Sequence, residues 1–272
     1  MKIAHLGPQG SFSEAAAQTA FPNDDLLPQK TIIHAILALE KDEADFAVVP
    51  IENSIEGSVT QTVDYLFHKT ELSAVAELIL PVHHQLLATA KTKKIEQIYS
   101  HPQALAQTRV FLRENYPQAQ LEVVDSTAAG AEYVANHPEE NCAAIAPIGA
   151  QKCYKLQILQ ENIEDVSDNY TRFWVLGKSA PDLNLTEKSS KTSVALTLPS
   201  NLPGALHKAL SSLAWRDINM TKIESRPLRT QLGEYFFIID LEENPQIKYA
   251  LEELESLNIT ARLLGKYKVY QL

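Results

Sequence analysis

The chain has 272 residues, of which 45% are hydrophobic, and its formal net charge is −10 at pH 7. This length and hydrophobic content predict one large domain or two smaller ones with buried cores. The negative charge and the lack of a lysine or arginine cluster argue against a nucleic-acid partner, and no apolar run approaches the roughly 20 residues of a membrane helix.

The amino terminus and the cysteines indicate the cellular compartment. A strand follows Met1 directly, with no signal-peptide pattern, so we expect a cytoplasmic protein. Cys142 and Cys153 are then expected to be free thiols rather than a disulfide.

Strands and helices alternate through the first half of the chain. The pattern predicts a strand at Lys2–Leu6, a helix capped by Ser13 that ends near Ala20, a helix from Thr31 to Glu40, and a buried strand from Ala44 to Val49. Such alternation is typical of parallel α/β units, which bind ligands at the ends of their strands.

A later stretch resembles this one. The helix that opens at Thr31 and the strand that enters Pro50 have counterparts at Thr127 and Pro147, with nearly equal spacing. Any two βαβ units would look this similar, and both interpretations stay open. If the similarity is real, residues 1–75 with 166–178 form one lobe and residues 76–165 form another, with a ligand between them that faces helix N-termini.

A polar stretch without periodicity, residues 178–191, is predicted to be a linker. A second domain follows at residues 191–272. Its predicted elements are a strand at Ser193–Leu198, a helix from Pro203-Gly204 to about Trp215, strands at Met220–Glu224 and Tyr235–Leu241, a helix at Pro245–Leu257 and a strand at Thr260–Leu264. This βαββαβ order indicates a ferredoxin-like arrangement.

The most informative motif is Asn169-Tyr170-Thr171-Arg172-Phe173. It places a hydroxyl donor beside a permanently charged cation, which suits an anionic substrate that must lose a hydroxyl group. The alternative is a turn with a capping threonine and an ion-paired arginine. Three further segments place small polar side chains at strand-to-helix junctions: GPQGSFSEAA at residues 7–16, PIENSIEGS at residues 50–58 and SHPQALAQ at residues 100–107.

These motifs, in this order, resemble those of monofunctional prephenate dehydratases, and Gly204-Ala205-Leu206 and Glu224-Ser225-Arg226-Pro227 extend the resemblance to the chain's end. It implies an α/β fold: a two-lobed, periplasmic-binding-protein-like catalytic domain at residues 1–178, then a ferredoxin-like ACT regulatory domain at residues 191–272. The chain departs from the family at Ser11, usually threonine, at Thr108, often cysteine, and at His207, commonly aliphatic.

The implied reaction converts prephenate to phenylpyruvate in phenylalanine biosynthesis, with loss of carbon dioxide and water. Aromatisation supplies the driving force, so we expect no metal and no other cofactor. The departing hydroxide requires a proton or a strong hydrogen bond. The resemblance assigns the essential hydroxyl to Thr171, which we interpret as a positioned donor. Arg172 would bind the pyruvyl carboxylate or orient the loop, and Glu52 is either a buried proton source or the ion-pair partner of Arg172.

The other site residues are predicted with weaker support. Asn53 and Ser54 would offer hydrogen bonds to the reacting groups, or they serve as ordinary helix caps. The predicted substrate-binding residues are Ser11, Ser13, His101, Gln103, Asn169 and Phe173. His101 taken alone fits a structural role as well as a catalytic one.

The resemblance also implies regulation and assembly. ACT domains pair subunits and bind amino acids, so we expect a homodimer, possibly a tetramer, that L-phenylalanine inhibits. The predicted effector-binding residues are Gly204, Ala205, Leu206, Glu224, Ser225, Arg226 and Pro227. Two alternatives remain at this point: an arogenate dehydratase, and a non-catalytic amino-acid sensor.

Overall fold

The structure, a computed structural model, describes residues 1–199, 203–229 and 234–272. Its contacts divide the chain into two compact units. The first unit contains Met1–Val59, Ile79–Phe173 and Leu272, and the second contains Thr60–Leu78 and Trp174–Gln271. Within the described ranges no helix is long and apolar enough to cross a membrane.

Fifteen strands and nine helices are assigned in the described residues. The strands are β1 (Lys2–Leu6), β2 (Asp25–Gln29), β3 (Phe46–Asn53), β4 (Gly57–Ser58), β5 (Ser73–Pro81), β6 (Gln85–Ala88), β7 (Gln97–Ser100), β8 (Gln120–Val123), β9 (Cys142–Ala146), β10 (Gln157–Gln160), β11 (Tyr170–Gly177), β12 (Glu187–Thr197), β13 (Met220–Pro227), β14 (Tyr235–Glu242) and β15 (Thr260–Gln271). The helices are α1 (Phe12–Ala20), α2 (Ile32–Glu40), α3 (Thr60–His68), α4 (Pro102–Gln107), α5 (Arg109–Asn115), α6 (Thr127–Asn136), α7 (Ile148–Tyr154), α8 (Ala205–Ala214) and α9 (Ile247–Ser256).

The first unit has two parallel strand triplets with the same order. In one, β1 lies between β2 and β3 and is parallel to both. In the other, β7 lies between β8 and β9 and is again parallel to both, and this sheet continues through β6 to β10. Strands β3 and β9 are buried along almost their whole length, as expected for parallel strands covered by helices. The mixed α/β class predicted from the sequence is confirmed.

Two local predictions in the first unit are wrong. Ser11, not Ser13, caps α1, because the Ser11 Oγ accepts the Glu14 backbone N–H at 3.2 Å, while Ser13 lies buried in the first turn. The buried strand predicted to end at Val49 continues through Pro50 to Asn53. The register of β3 with β1 covers Phe46 to Val48, so the missing N–H of Pro50 falls beyond that ladder, and its extended backbone continues the strand.

The second unit confirms the βαββαβ order. Its strands are arranged β13–β14–β12–β15, all antiparallel, followed by β5. Leucines and alanines of α8 and α9, such as Leu213, Ala250 and Leu254, pack on Val194 and Ile239 of the sheet and form one buried core.

The predicted linker at residues 178–191 is partly wrong. Its last residues belong to β12, which begins at Glu187 and pairs with β15 as far as Tyr270. The Lys268 ammonium lies 2.7 Å from the Glu187 carboxylate across this ladder. Polar cross-strand pairs hold this part of the sheet, so the sequence lacks the apolar alternation that marks a strand.

The segment Thr60–Leu78, which the sequence analysis assigns to the first domain, is packed in the second unit. Arg226 forms a bidentate ion pair with Asp64 of α3, with N–O distances of 3.0 to 3.1 Å. Phe67 stacks on Phe236 with 3.6 Å between ring centroids. Because of these long-range contacts, α3 packs in the second unit, although its neighbours in the chain belong to the first. A catalytic domain that ends at residue 178 stays a prediction.

Candidate active site

A cavity of about 580 Å³ lies in the first unit, where the carboxyl ends of β1 and β3 and the start of β11 face helices α4 and α6, which pack on the second sheet. Parallel strands present their carboxyl ends and the following helix N-termini at the same edge, which is where α/β proteins bind ligands. Seven predicted site residues line this cavity: Ser11, Ser13, Asn53, His101, Gln103, Asn169 and Thr171. The sequence motifs are therefore gathered at one place.

Helix starts contribute much of the cavity wall. Ser11 caps α1, the His101 imidazole accepts the Gln103 N–H at the start of α4, and Ser126 caps α6 through the Ala129 N–H. Each helix start carries a partial positive charge. Among the residues that line the cavity there is no lysine or arginine, so these helix starts are the positive part of its field.

The Thr171 hydroxyl is held by an amide network. Asn53 Nδ2 donates to Thr171 Oγ1 at 3.0 Å and to Asn169 Oδ1 at 2.8 Å. The Asn53 carbonyl oxygen accepts the backbone N–H groups of Ile55 and Glu56 at 3.0 and 3.1 Å. Since a backbone N–H can only donate, the orientation of the Asn53 amide is fixed. Thr171 Oγ1 thus accepts from Asn53 and keeps its own proton for another acceptor.

Four predicted site residues do not line the cavity: Glu52, Ser54, Arg172 and Phe173. The Arg172 Nη1 lies 2.5 Å from the Glu52 Oε2, so of the two alternatives for Glu52 the structure has the ion pair. Phe173 is buried in the core with 1% of its surface exposed. The catalytic and substrate-binding roles of these residues stay predictions.

Ser54 supports the network from outside the cavity. Its Oγ donates to Asn169 Oδ1 at 3.2 Å and accepts the Tyr170 N–H at 2.9 Å. The Ser54 N–H also donates to the Tyr170 carbonyl at 2.9 Å. Ser54 therefore joins the end of β3 to the start of β11 and positions Asn169.

Several residues that line the cavity were not predicted as site residues: Phe12, His84, Gln107, Asp125, Ser126 and Thr127. Gln107 is the last residue of the SHPQALAQ motif, and Ser126 is a capping residue before a helical pattern, so both had a local signal. His84 had none. It has 3% of its surface exposed, and burial lowers the pKa of His84, while the hydrogen bond of its Nε2 to the Gln107 side-chain oxygen opposes this effect.

The predicted effector residues lie in the second unit around two elements. Gly204 precedes α8 with a φ of +71°, a left-handed conformation that favours glycine, and the added Cβ there would meet open space. Glu224, Ser225, Arg226 and Pro227 form the end of β13, where Arg226 is paired with Asp64. Their role in binding an effector stays a prediction.

Comparison with known proteins gives concordant results. A family model described as prephenate dehydratase matches residues 3–181. The prephenate dehydratase of Lactococcus lactis subsp. cremoris is 56% identical, with 100% of this chain and 99% of that protein covered. The solved structure of a prephenate dehydratase from Arthrobacter aurescens, in complex with L-Phe, is 34% identical with a TM-score of 0.86, and covers 98% of this chain and 90% of its own.

One further solved structure has a different description. GqqA, described as a novel type of quorum-quenching acylase, is 31% identical with a TM-score of 0.86, and 99% of this chain and 98% of that chain are covered. The same fold is therefore associated with two named activities.

Proposed function

We propose a site and a mechanism for this chain, which belongs to the prephenate dehydratase family and is a hydro-lyase. It converts prephenate in the cavity of the first unit, and the Thr171 hydroxyl assists departure of the ring hydroxyl. The observation that carries this proposal is the hydrogen bond from Asn53 Nδ2 to Thr171 Oγ1. It supports a role for Thr171 as a donor, because the Asn53 amide occupies one lone pair of the hydroxyl oxygen and the hydroxyl proton stays available.

The reaction breaks two bonds of the substrate. The bond from the ring to its carboxylate breaks and releases carbon dioxide, and the electron pair moves into the ring. The carbon–oxygen bond on the opposite side of the ring breaks, and the hydroxyl leaves with that electron pair and takes up a proton from solvent to become water. Thr171 would donate a hydrogen bond to that oxygen, where negative charge develops, and the network behind it holds the hydroxyl in place.

The cavity wall suits a dianionic substrate whose carboxylates must not be bound too tightly. The helix starts at Ser11, His101 and Ser126 offer partial positive charge and backbone N–H groups. Partial charges bind a carboxylate without the tight ion pair that would stabilise the ground state of the carboxylate that departs. Arg172, paired with Glu52, would support β11 rather than bind substrate.

Regulation is proposed for the second unit. The Arthrobacter aurescens relative is described in complex with L-Phe, which supports L-phenylalanine as the effector of this chain. Gly204 and the end of β13 are the proposed binding elements, and pairing of two copies through this unit is the proposed assembly. Ser225→Ala should raise the concentration of phenylalanine that gives half-inhibition while leaving uninhibited turnover unchanged, and sedimentation of the purified chain should show a dimer or a tetramer.

The proposed activity is tested by following phenylpyruvate formation from prephenate with purified protein. Arogenate and an N-acylated amine, offered separately, serve as the competing substrates. We expect the chain to form phenylpyruvate from prephenate, and we expect kcat/KM for prephenate to be the highest among the three substrates. Faster conversion of arogenate would support the arogenate dehydratase alternative, and release of the acyl acid without phenylpyruvate would support the acylase activity described for GqqA.

A further inference from the structure

We infer that His84 is a positioning residue of this cavity: its Nε2–H holds Gln107 so that the Gln107 amide NH2 group faces the cavity and donates a hydrogen bond to a carboxylate of the substrate. This inference rests on the proposed function for the identity of the substrate. Both residues line the cavity, and neither was among the individual site residues predicted from the sequence.

Backbone N–H groups fix the first amide of this network. Because the Ile55 and Glu56 N–H groups donate to Asn53 Oδ1, the Asn53 amide nitrogen must face Asn169. It donates to Asn169 Oδ1 at 2.8 Å, and the Ser54 hydroxyl donates to the same oxygen at 3.2 Å. The orientation of the Asn169 amide is therefore fixed as well, with its nitrogen directed away from Asn53.

The Asn169 amide in turn fixes the roles of Gln107 and His84. Asn169 Nδ2 donates to Gln107 Oε1 at 3.0 Å, which identifies that Gln107 atom as the acceptor. His84 Nε2 lies 3.0 Å from the same oxygen. Two atoms that only accept cannot share a hydrogen bond, so Nε2 of His84 must carry a proton.

Two donors thus hold the Gln107 carbonyl oxygen, which leaves its Nε2 as the group that can reach a ligand. Among the described residues Gln107 Nε2 makes no hydrogen bond, and Gln107 lines the cavity. If the His84 donor were lost, only Asn169 would restrain the amide. His84 is thus the second of two anchors that set the direction of this NH2 group.

His84 is itself well fixed. It has 3% of its surface exposed, its backbone N–H donates to Glu164 Oε2 at 2.9 Å, and its ring packs edge-on against Phe12 with 5.7 Å between centroids. Its Nδ1 is buried and makes no hydrogen bond within the described part of the chain. Burial lowers the pKa of His84, which favours the neutral ring with a single proton.

Lining residues make an amide donor useful here. The cavity wall contains the carboxylates Glu56 and Asp125 but no lysine or arginine. An oriented NH2 group adds a donor for a substrate carboxylate without adding a formal charge. Loss of such a contact affects binding of the substrate in its ground state and its transition state alike, so it raises KM more than it lowers kcat.

Three variants test this inference through the kinetics of phenylpyruvate formation. His84→Gln keeps an amide NH2 donor near Gln107 Oε1, whereas His84→Leu keeps volume and removes the donor. We expect His84→Leu to raise KM by about tenfold or more and His84→Gln to stay within about threefold of the parent chain. His83→Leu is the matched control, because the His83 ring is about half exposed and contacts Glu164 instead of Gln107.

The order of the two His84 variants separates positioning from packing. A residue that only fills space would tolerate leucine better than glutamine, since an added polar group in a buried site is costly. Equal KM values for His84→Leu and the parent chain, or a lower KM for His84→Leu than for His84→Gln, would overturn the inference.

A second measurement does not depend on catalysis. In nitrogen-15 NMR spectra of histidine-labelled protein, the signals that disappear in His84→Gln should report a protonated Nε2 and a bare Nδ1 at pH 7.5. A protonated Nδ1 with an unprotonated Nε2 would contradict the inference. If the parent chain made no phenylpyruvate, the proposed function would fail, and this spectrum would decide the geometry of the His84–Gln107 pair by itself.

Discussion

The Asn53 amide nitrogen donates a hydrogen bond to the Thr171 hydroxyl oxygen over 3.0 Å, between residues 118 positions apart in the chain. Asn53 ends β3 and Thr171 lies near the start of β11, so the pairing of these two strands brings them together. The proposed chemistry depends on this contact because it leaves the Thr171 proton available for the leaving group.

Asn53→Asp tests the direction of that hydrogen bond. The carboxylate can still accept the Ile55 and Glu56 N–H groups, but it cannot donate to Thr171 or Asn169. We expect kcat to fall by about 100-fold, the scale of one lost catalytic contact, with the fold retained. Asn115→Asp, an exposed position in the same unit, is the matched control and should leave turnover unchanged. Normal kcat in Asn53→Asp would mean that the network does not serve catalysis.

Arg172→Lys distinguishes a supporting arginine from a substrate clamp. The side chains of Arg172 and Glu52 are 15% and 25% exposed, so their ion pair is largely shielded from water. Lysine keeps the charge but loses the planar fork, and we therefore expect a lower melting temperature with kcat/KM within about threefold of the parent. Arg113→Lys, at an exposed position, should change neither quantity. A clear rise in KM at an unchanged melting temperature would restore the predicted role of Arg172 as a carboxylate ligand.

A chain that ends at Gly177 tests the division into units. The predicted domain boundary lies near residue 178, but such a chain lacks Arg226 and Phe236, the partners of Asp64 and Phe67. It also lacks Tyr267, which accepts a hydrogen bond from the buried Trp174 indole at 3.1 Å. We expect a chain that unfolds at lower temperature and aggregates, because α3 would expose an unpaired carboxylate and an aromatic face. A monomeric, fully active fragment with an unchanged melting temperature would show that the boundary near residue 178 is correct.

Stability should fall as the pH falls from 7.5 to 5.5. His5 and His84 have 0% and 3% of their surfaces exposed, and burial lowers the pKa of each below the usual 6.5. The unfolded chain therefore takes up protons first as the pH falls through 6.5, which favours unfolding until the folded-state pKa is reached. Urea unfolding at several pH values should show this slope, and His84→Gln should reduce it. A midpoint that is independent of pH over this range would show that neither ring resists protonation.

Most of the secondary structure was predicted correctly, because apolar periodicity and helix caps depend on residues that are close together in the chain. The alternation of apolar residues and the caps identified α1, α2, α8 and their neighbouring strands, although Ser11 and Ser13 are both good caps and the sequence could not choose between them. The motifs of Thr171, Asn53 and Gln103 lie at junctions between strands and neighbouring segments, and α/β folds bring such junctions together around one cavity.

The sequence did not predict the contacts between residues that lie far apart in the chain. Nothing near Thr60 indicates that α3 packs on β13, since the contact requires Arg226, which lies 162 positions after Asp64. His84 likewise has no capping or motif signal, and its partner Gln107 is 23 positions away. Both relationships depend on the tertiary fold rather than on periodicity, so one sequence taken alone could not reveal them.

The turnover of Thr171 variants is the most direct test of the Thr171 hydroxyl as the group that assists departure of the ring hydroxyl. Thr171→Ala removes the hydroxyl but keeps the β11 backbone, and Thr171→Ser keeps the hydroxyl on a more mobile side chain. We expect kcat for phenylpyruvate formation to fall by about 100-fold or more in Thr171→Ala, with prephenate affinity nearly intact, and to recover in part in Thr171→Ser. A kcat for Thr171→Ala close to that of the parent chain would contradict the account.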